Sequence, residues 1–432
     1  MAAKPQMLSD SQQEYDAVIV GSGAGGGIAA YVLTQRGLKV LLLEAGRHYD
    51  PAAETPMFQV EAEAPLNGAS TPDKPMGFYD ATVAGGLDLT DEPYTVASGT
   101  FRWFRARMLG GRTNHWGRVT LRYGPYDFRT YSRHGVGVDW PIAYEDLAPY
   151  YDRVEKLIGV FGEAEGIENS PDSSPGVLLP PPPLHAHERW MQLVLGQRLG
   201  IRVVPNHVAV LTRPLNDRQA CLYATSCFRG CGIRANFQTP TVLLPPALTT
   251  GRLEIRTRAL VYDVPLDQRG RAAGVHYIDT STGARHFARG RAVVLAASTC
   301  ATARILLNSK SSSFPNGLAN SSGQVGRNLT DTVATAVSGV IPALQGLKPF
   351  NDDGVSVPHA YVPWWGHRDQ AAGRSGFATD YHIIISGGRT MPTVESFAGL
   401  ASEAGRPLYG QALRKRLRHE FGSKLSLCGN AE

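Results

Sequence analysis

Between residues 15 and 44 the chain sets out a strand, a glycine turn, a helix and a second strand, an order that leaves few folds open. Tyr15-Asp16-Ala17-Val18-Ile19-Val20 is a short β-rich run. Gly21-Ser22-Gly23-Ala24-Gly25-Gly26-Gly27 follows at once, and Ile28 to Leu33 continues with helical spacing. A second apolar run, Leu38 to Leu43, ends at Glu44. Gly21, Gly23 and Gly26 fit a G-x-G-x-x-G turn inside a βαβ unit. In such a unit Gly21 makes the tight turn, Gly23 lets the backbone approach a pyrophosphate, and Gly26 lets the helix pack closely on the strand. The N-terminus of the helix that follows the turn offers unpaired N–H groups and a positive dipole end to the anion. Glu44, at the end of the second strand, is placed to accept hydrogen bonds from a ribose diol. An acid there favours an adenosine with a free 2′-OH, which excludes NADP but does not choose between FAD and NAD.

The rest of the composition sets bounds. A length of 432 residues suits one large or two intimate domains. With 43% hydrophobic and 19% charged residues, a sizeable core is expected rather than a disordered or coiled-coil chain. The net charge of +5 comes with no lysine-rich run, so no nucleic-acid partner is expected. Arg414-Lys415-Arg416-Leu417-Arg418 reads as the solvated face of a helix. No apolar stretch reaches the roughly 18 residues of a membrane helix, and Met1 to Glu14 carries no export-signal pattern. Three of the five cysteines crowd together, unlike a secreted disulfide framework. The expected location is cytoplasmic, or periplasmic if the chain is exported with a partner subunit.

Farther along, Leu253 to Val264 alternates apolar and polar positions, and turns at Asp267–Gly270 and Ser281–Gly283 flank Ala273 to Ile278. The apolar run Ala292 to Ala296 comes after them. This predicts an antiparallel meander returning to a buried strand of a parallel central sheet.

Several segments together carry a family resemblance. They are Glu44-Ala45-Gly46, Gly110-Gly111-Arg112-Thr113-Asn114-His115-Trp116-Gly117, and Asp139-Trp140-Pro141 with the run Tyr144 to Tyr151. Val293 to Ser298 with the helix Thr302 to Asn308, and Val325-Gly326-Arg327-Asn328-Leu329-Thr330-Asp331, complete the set. In this order they resemble the glucose-methanol-choline (GMC) oxidoreductases, nearest to bacterial gluconate- and glucose-dehydrogenase-type large subunits and to pyranose oxidases. The resemblance implies an α/β fold: a Rossmann-type FAD-binding domain with a parallel central sheet, plus a substrate domain built on an antiparallel sheet. The implied segments are 14–140 and 220–335 for FAD, and 141–219 and 336–432 for the substrate domain. It implies FAD as cofactor, held by Gly21, Gly23, Ala24, Gly26, Glu44, Ala45, Gly111, Asn114, His115, Val261, Ala297, Asn328 and Asp331. It also implies oxidation of CH–OH groups of alcohols or sugars, with hydride passing to flavin and electrons to an acceptor other than NAD. A small subunit and a cytochrome are the implied partners.

Two features carry alternatives. His115, by resemblance to the pyranose-oxidase loop, is either bonded covalently to the flavin or packed at its edge. Cys221, Cys227 and Cys231 resemble the cluster loop of dehydrogenase large subunits and would ligate iron and sulfide, although the first interval is one residue longer. The other reading makes Cys227 and Cys231 small buried residues, or a chance disulfide, in a loop covering the flavin. The family's C-terminal pair, a His with a second His or an Asn, is not visible, and no catalytic base is assigned. Nothing after Arg418 reads as a returning strand, so a truncated chain is expected, with an inactive flavin-binding fragment as the alternative function. His359, His367 and His382 read as structural or pocket-lining, the first and last on strands and His367 in a loop.

Overall fold

The computed structural model describes residues 7–54, 94–99, 101, 103, 105–222, 227, 230–347, 357–376, 380–388, 400–403 and 405–431. The strands, in chain order, are β1 (Met7–Val20), β2 (Val40–Leu43), β3 (Val204–Pro205), β4 (Leu253–Arg256), β5 (Ala259–Asp263), β6 (Gly274–Asp279) and β7 (Arg285–Leu295). They continue with β8 (Val333–Val340), β9 (Ala360–Val362), β10 (Tyr381–Gly387), β11 (Ser402–Glu403), β12 (Arg406–Pro407) and β13 (Lys424–Ala431). The chain divides into two compact units. The first comprises 1–116, 228–234 and 238–330, and the second 117–227, 235–237 and 331–432.

The first unit holds a six-stranded sheet in the order β4-β2-β1-β7-β6-β5. β4, β2, β1 and β7 run parallel, and β5, β6 and β7 form the antiparallel meander. Strand alternation sorts the side chains onto two faces. Val18, Val20, Leu41 and Leu43 point to the face covered by the meander residues Val261, Val275, Tyr277 and Ala288. Ala17, Ile19, Val40 and Leu42 point to the opposite face, where Ala30 of the helix Ala24–Gln35 packs. Burying a large apolar side chain contributes roughly 1.5–3 kcal/mol, and β2, covered on both faces, is apolar and buried at all four positions.

One element departs from the expected meander. Leu253 to Val264 is not one strand: β4 joins the parallel sheet beside β2, and the meander begins only at β5. Arg258, with φ of +58°, turns the chain between them. The backbone N–H of Ala259 then donates to the carbonyl of Glu44, which sets β5 beside the end of β2.

The second unit carries a five-stranded sheet, β3-β9-β10-β13-β8, antiparallel at every pairing. β13 lies inside this sheet, paired with both β10 and β8, a strand of the second unit that the sequence reading did not anticipate. Its Leu425 and Leu427 pack with Ile385, Val362 and Met191. His367 opens a short helix, His367–Ala371, rather than lying in a loop. Arg122, buried, pairs with Glu155 and Asp152 of the helix Tyr144–Ile158 and donates to the Tyr144 hydroxyl. Among the described residues no helix is long and apolar enough to cross a membrane.

Candidate active site

The glycine turn is closed where it touches protein and open where a ligand would lie. Gly21 has φ of +96°, and a Cβ there would sit 2.5 Å from the Ala296 carbonyl oxygen. A Cβ on Gly26 would come 1.8 Å from the carbonyl oxygen of Gly21, so no side chain fits between helix and strand. A Cβ on Gly23 would meet nothing within 4 Å. Gly23 is the N-cap of the helix Ala24–Gln35 and supplies no side-chain cap, so the first-turn N–H groups keep their capacity for an anion. These features fit a dinucleotide pyrophosphate.

Ser22 and Glu44 tie this turn to a second loop. Glu44 is 5% exposed, and its carboxylate accepts from the Ser22 N–H, the Ser22 hydroxyl and the Gly46 N–H. The Ser22 oxygen in turn accepts from the Gly110 N–H at 2.8 Å. Burial pushes the Glu44 carboxyl above its usual range, against the pull of these hydrogen bonds. A carboxylate offers about four lone-pair sites, so the acid assigned to a ribose diol already gives most of its accepting capacity to its own unit.

The loop beyond Gly110 forms a short 3₁₀ turn, Gly111–Asn114, with His115 half-buried at its end. Gly111 abuts the first turn, since its Cβ would lie 3.6 Å from the Gly23 Cα. Asn114 is fully buried; it donates to the Leu109 carbonyl at 2.9 Å and accepts from Gln238 at 3.1 Å. Gln238 also accepts from the Cys231 N–H, and the Thr239 N–H donates to the Thr113 hydroxyl. Asn114 therefore fixes the loop from inside, with Gln238 as its partner.

The remaining assigned residues are spread out. Val261 is buried in the apolar layer beneath the meander, and Ala45 and Ala297 are partly buried beside Glu44 and Ala296. Asn328 and Asp331 are exposed; Asn328 donates to the Gln324 side chain and Asp331 accepts from Thr332. Cys221 and Cys227 belong to an apolar cluster of the second unit with Phe161, Val208 and Val210. The buried Arg118 guanidinium donates to the carbonyls of Cys227 and Phe237, each at 2.6 Å. Cys231 is buried in the first unit.

Sequence reasoning missed Ser22 and Gln238 as the ties of the two loops, because neither hydroxyl nor amide stands out among similar residues. It also missed His185, His187 and Glu188, the one group of three potential metal-ligating side chains that converges among the described residues. The H-x-H-E spacing after the run of prolines at 180–183 was the available signal.

Comparison with known proteins places these features. Residues 199–334 match the family described as GMC oxidoreductase, and residues 19–53 match an NAD(P)-binding Rossmann-like domain. The 2-methyl-1,2-propanediol dehydrogenase of Mycolicibacterium austroafricanum is 31% identical over 97% of this chain and 71% of its own length. The 6'''-hydroxyparomomycin C oxidase of Streptomyces lividus is 31% identical over 76% of this chain and 56% of its own. The fructose dehydrogenase large subunit of Gluconobacter japonicus is 28% identical, covering 81% of this chain and 63% of its own. The chain thus spans between about half and three-quarters of these relatives. With the glycine turn, the two-layer first unit and the diol-dehydrogenase relative all in agreement, the chain belongs to the GMC oxidoreductase family.

Proposed function

We propose that this chain is the catalytic flavoprotein of an enzyme that oxidises CH–OH groups of small alcohols or sugars and passes the electrons to an acceptor other than NAD. The observation that carries the reading is the open face at Gly23, backed by the Ser22–Glu44–Gly110 network, in a chain of the GMC family. Bound FAD would supply the hydride-accepting ring. Gly21, Gly23, Ala24 and Gly26 would hold its pyrophosphate, and Glu44 with Ala45 its ribose side. Gly111, Asn114 and His115 belong to the loop that would border the ring. The Asn114–Gln238 pair keeps that loop in place, which would orient a bound ring. The relatives are named as dehydrogenases of a diol and of fructose and as an oxidase of 6'''-hydroxyparomomycin C, so hydroxyl-bearing small molecules are the proposed substrate class.

The large-subunit relative supports a companion subunit; a cytochrome acceptor, and a periplasmic site if that companion carries the export signal, are further parts of this proposal. Without one, the cytoplasm is the proposed location. Cys221, Cys227 and Cys231 remain the proposed ligands of an iron–sulfur cluster.

The test is the visible spectrum of the purified chain before and after acid precipitation, then anaerobic addition of a vicinal diol and of fructose. Flavin bands that bleach on one of these substrates are expected. Colour left in the precipitate would assign His115 a covalent link, and colour in the supernatant would remove it. A folded, colourless protein that does not quench added FAD would sink the proposal. Iron analysis decides the cysteine assignment independently.

A further inference from the structure

The second unit contains a buried constellation that the flavin chemistry does not use. His185 is the N-cap of the helix Ala186–Leu199, and His187 and Glu188 lie in its first turn. Each contributes one ligand atom to a set in which all three lie within 4.8 Å of one another. All three are buried, with relative exposures of 4%, 1% and 0%.

Glu188 has an evident structural task. One oxygen accepts from the His185 N–H and faces His185 Nδ1 at 3.0 Å. The other accepts from the backbone N–H groups of His359 and Ala360. The carboxylate thereby pins the start of the helix to β9. His359 stacks on His185 with ring centroids 3.7 Å apart, and its Nδ1 lies 2.8 Å from the Pro183 carbonyl oxygen.

His187 does not fit a purely structural reading. Both of its ring nitrogens are buried and neither has a hydrogen-bond partner. Buried polar atoms of native proteins are nearly always partnered, and one that is not calls for a ligand, an ion or a chemical role. Gly388 closes over the Nδ1 edge of the ring, where a Cβ would come within 2.2 Å. The ring lies beside His185, with centroids 5.3 Å apart and planes tilted by only 20°.

We infer that His185, His187 and Glu188 bind one divalent transition-metal ion of the zinc class, which locks the start of this helix onto the sheet of the second unit. Two imidazoles and one carboxylate suit zinc, and hard ions such as calcium or magnesium prefer all-oxygen sets. The 3.0 Å separation of His185 Nδ1 and Glu188 Oε2 is a hydrogen-bond distance, and it needs to open by only a few tenths of an ångström to reach the roughly 3.3 Å between two ligands of a tetrahedral ion. Binding a neutral His185 through Nδ1 moves its proton to Nε2, so no net proton need leave the ring. The site lies on residues that the flavin assignment does not involve.

The test uses the full chain, stripped with a chelator and titrated with Zn²⁺ alone and with Co²⁺ alone. Bound metal is read by elemental analysis and cobalt by its visible absorption. Expected are about one equivalent of tightly held zinc, a rise in melting temperature on binding, and a cobalt spectrum free of intense sulfur charge transfer. His187→Gln should weaken zinc binding at least tenfold, and a Cys221→Ser, Cys227→Ser, Cys231→Ser triple variant should keep it. A folded chain that holds no zinc, zinc binding unchanged in His187→Gln, or loss of zinc in the triple variant would overturn the inference. Should His187→Gln fail to fold, the cobalt spectrum of the native chain decides, since a sulfur charge-transfer band contradicts the assignment.

Discussion

Glu44 of the first unit and Glu188 of the second are both buried, and the two are handled oppositely. Glu44 accepts three hydrogen bonds from neutral donors, two from Ser22 and one from Gly46, and burial leaves its carboxyl above the usual range. For Glu188 burial also pushes upward, but the His185 hydrogen bond and the three surrounding histidines outweigh it and hold the carboxyl below that range. At Glu44 burial outweighs the hydrogen bonds and the Arg107 charge, whereas at Glu188 the His185 hydrogen bond and the three rings outweigh burial. One glutamate orders a ligand-facing turn; the other orders a pinned helix.

The comparison can be broken hardest at Glu188. Glu188→Ala strands three backbone N–H groups and the His185 ring in a buried place. A loss of about 3–5 kcal/mol is expected in chelator-treated protein by urea denaturation, and a loss under 1 kcal/mol would contradict the pinning role. Gly26→Ala drives a Cβ onto the Gly21 carbonyl; about 2–3 kcal/mol and retained flavin should both be lost, read from the flavin-to-protein absorbance ratio. Ser22→Ala removes one donor to Glu44 and the acceptor of the Gly110 N–H. Its cost should be smaller, about 1–2 kcal/mol, with weakened FAD retention. If Ser22→Ala binds FAD as the native chain does, the network does not serve the cofactor.

The pH dependence sharpens the contrast most finely. Glu188, held low, binds fewer protons folded than unfolded, so its stabilisation is present above the ordinary carboxylate pKa and is lost as pH falls through its folded value. Glu44, held high, binds more protons folded, so in cofactor-free protein its contribution is present at low pH and fades as pH rises through its raised value. Chelated, cofactor-free Glu188→Gln should flatten the acid limb of a stability–pH profile, and Glu44→Gln the opposite limb. Two variants that shift the same limb would refute the assignment.

Much of the first unit was legible in the chain. The glycine spacing, the apolar runs before and after it and the acid at 44 are local signals, set by backbone sterics and strand alternation within 30 residues. The fine partition of 253–264 was not, because the same alternation suits a parallel and an antiparallel strand, and only the turn at Arg258 separates them. The last strand was missed for a similar reason. Lys424-Leu425-Ser426-Leu427-Cys428 alternates, but its short pattern acquires meaning only between β10 and β8.

The sequence by itself determined the nucleotide-type turn, the α/β class and the family, since close backbone approach admits only glycine at a few positions and motif order survives divergence. Tertiary structure alone decided which polar groups meet. Ser22 and Gly110 are 88 residues apart, and Glu188 and His359 are 171 apart. No spacing rule links such positions, because they are joined by the folding of sheets and loops rather than by neighbouring turns of chain. The networks around Glu44 and His187, and the chemistry proposed for each, exist only once those distant segments are packed out of water.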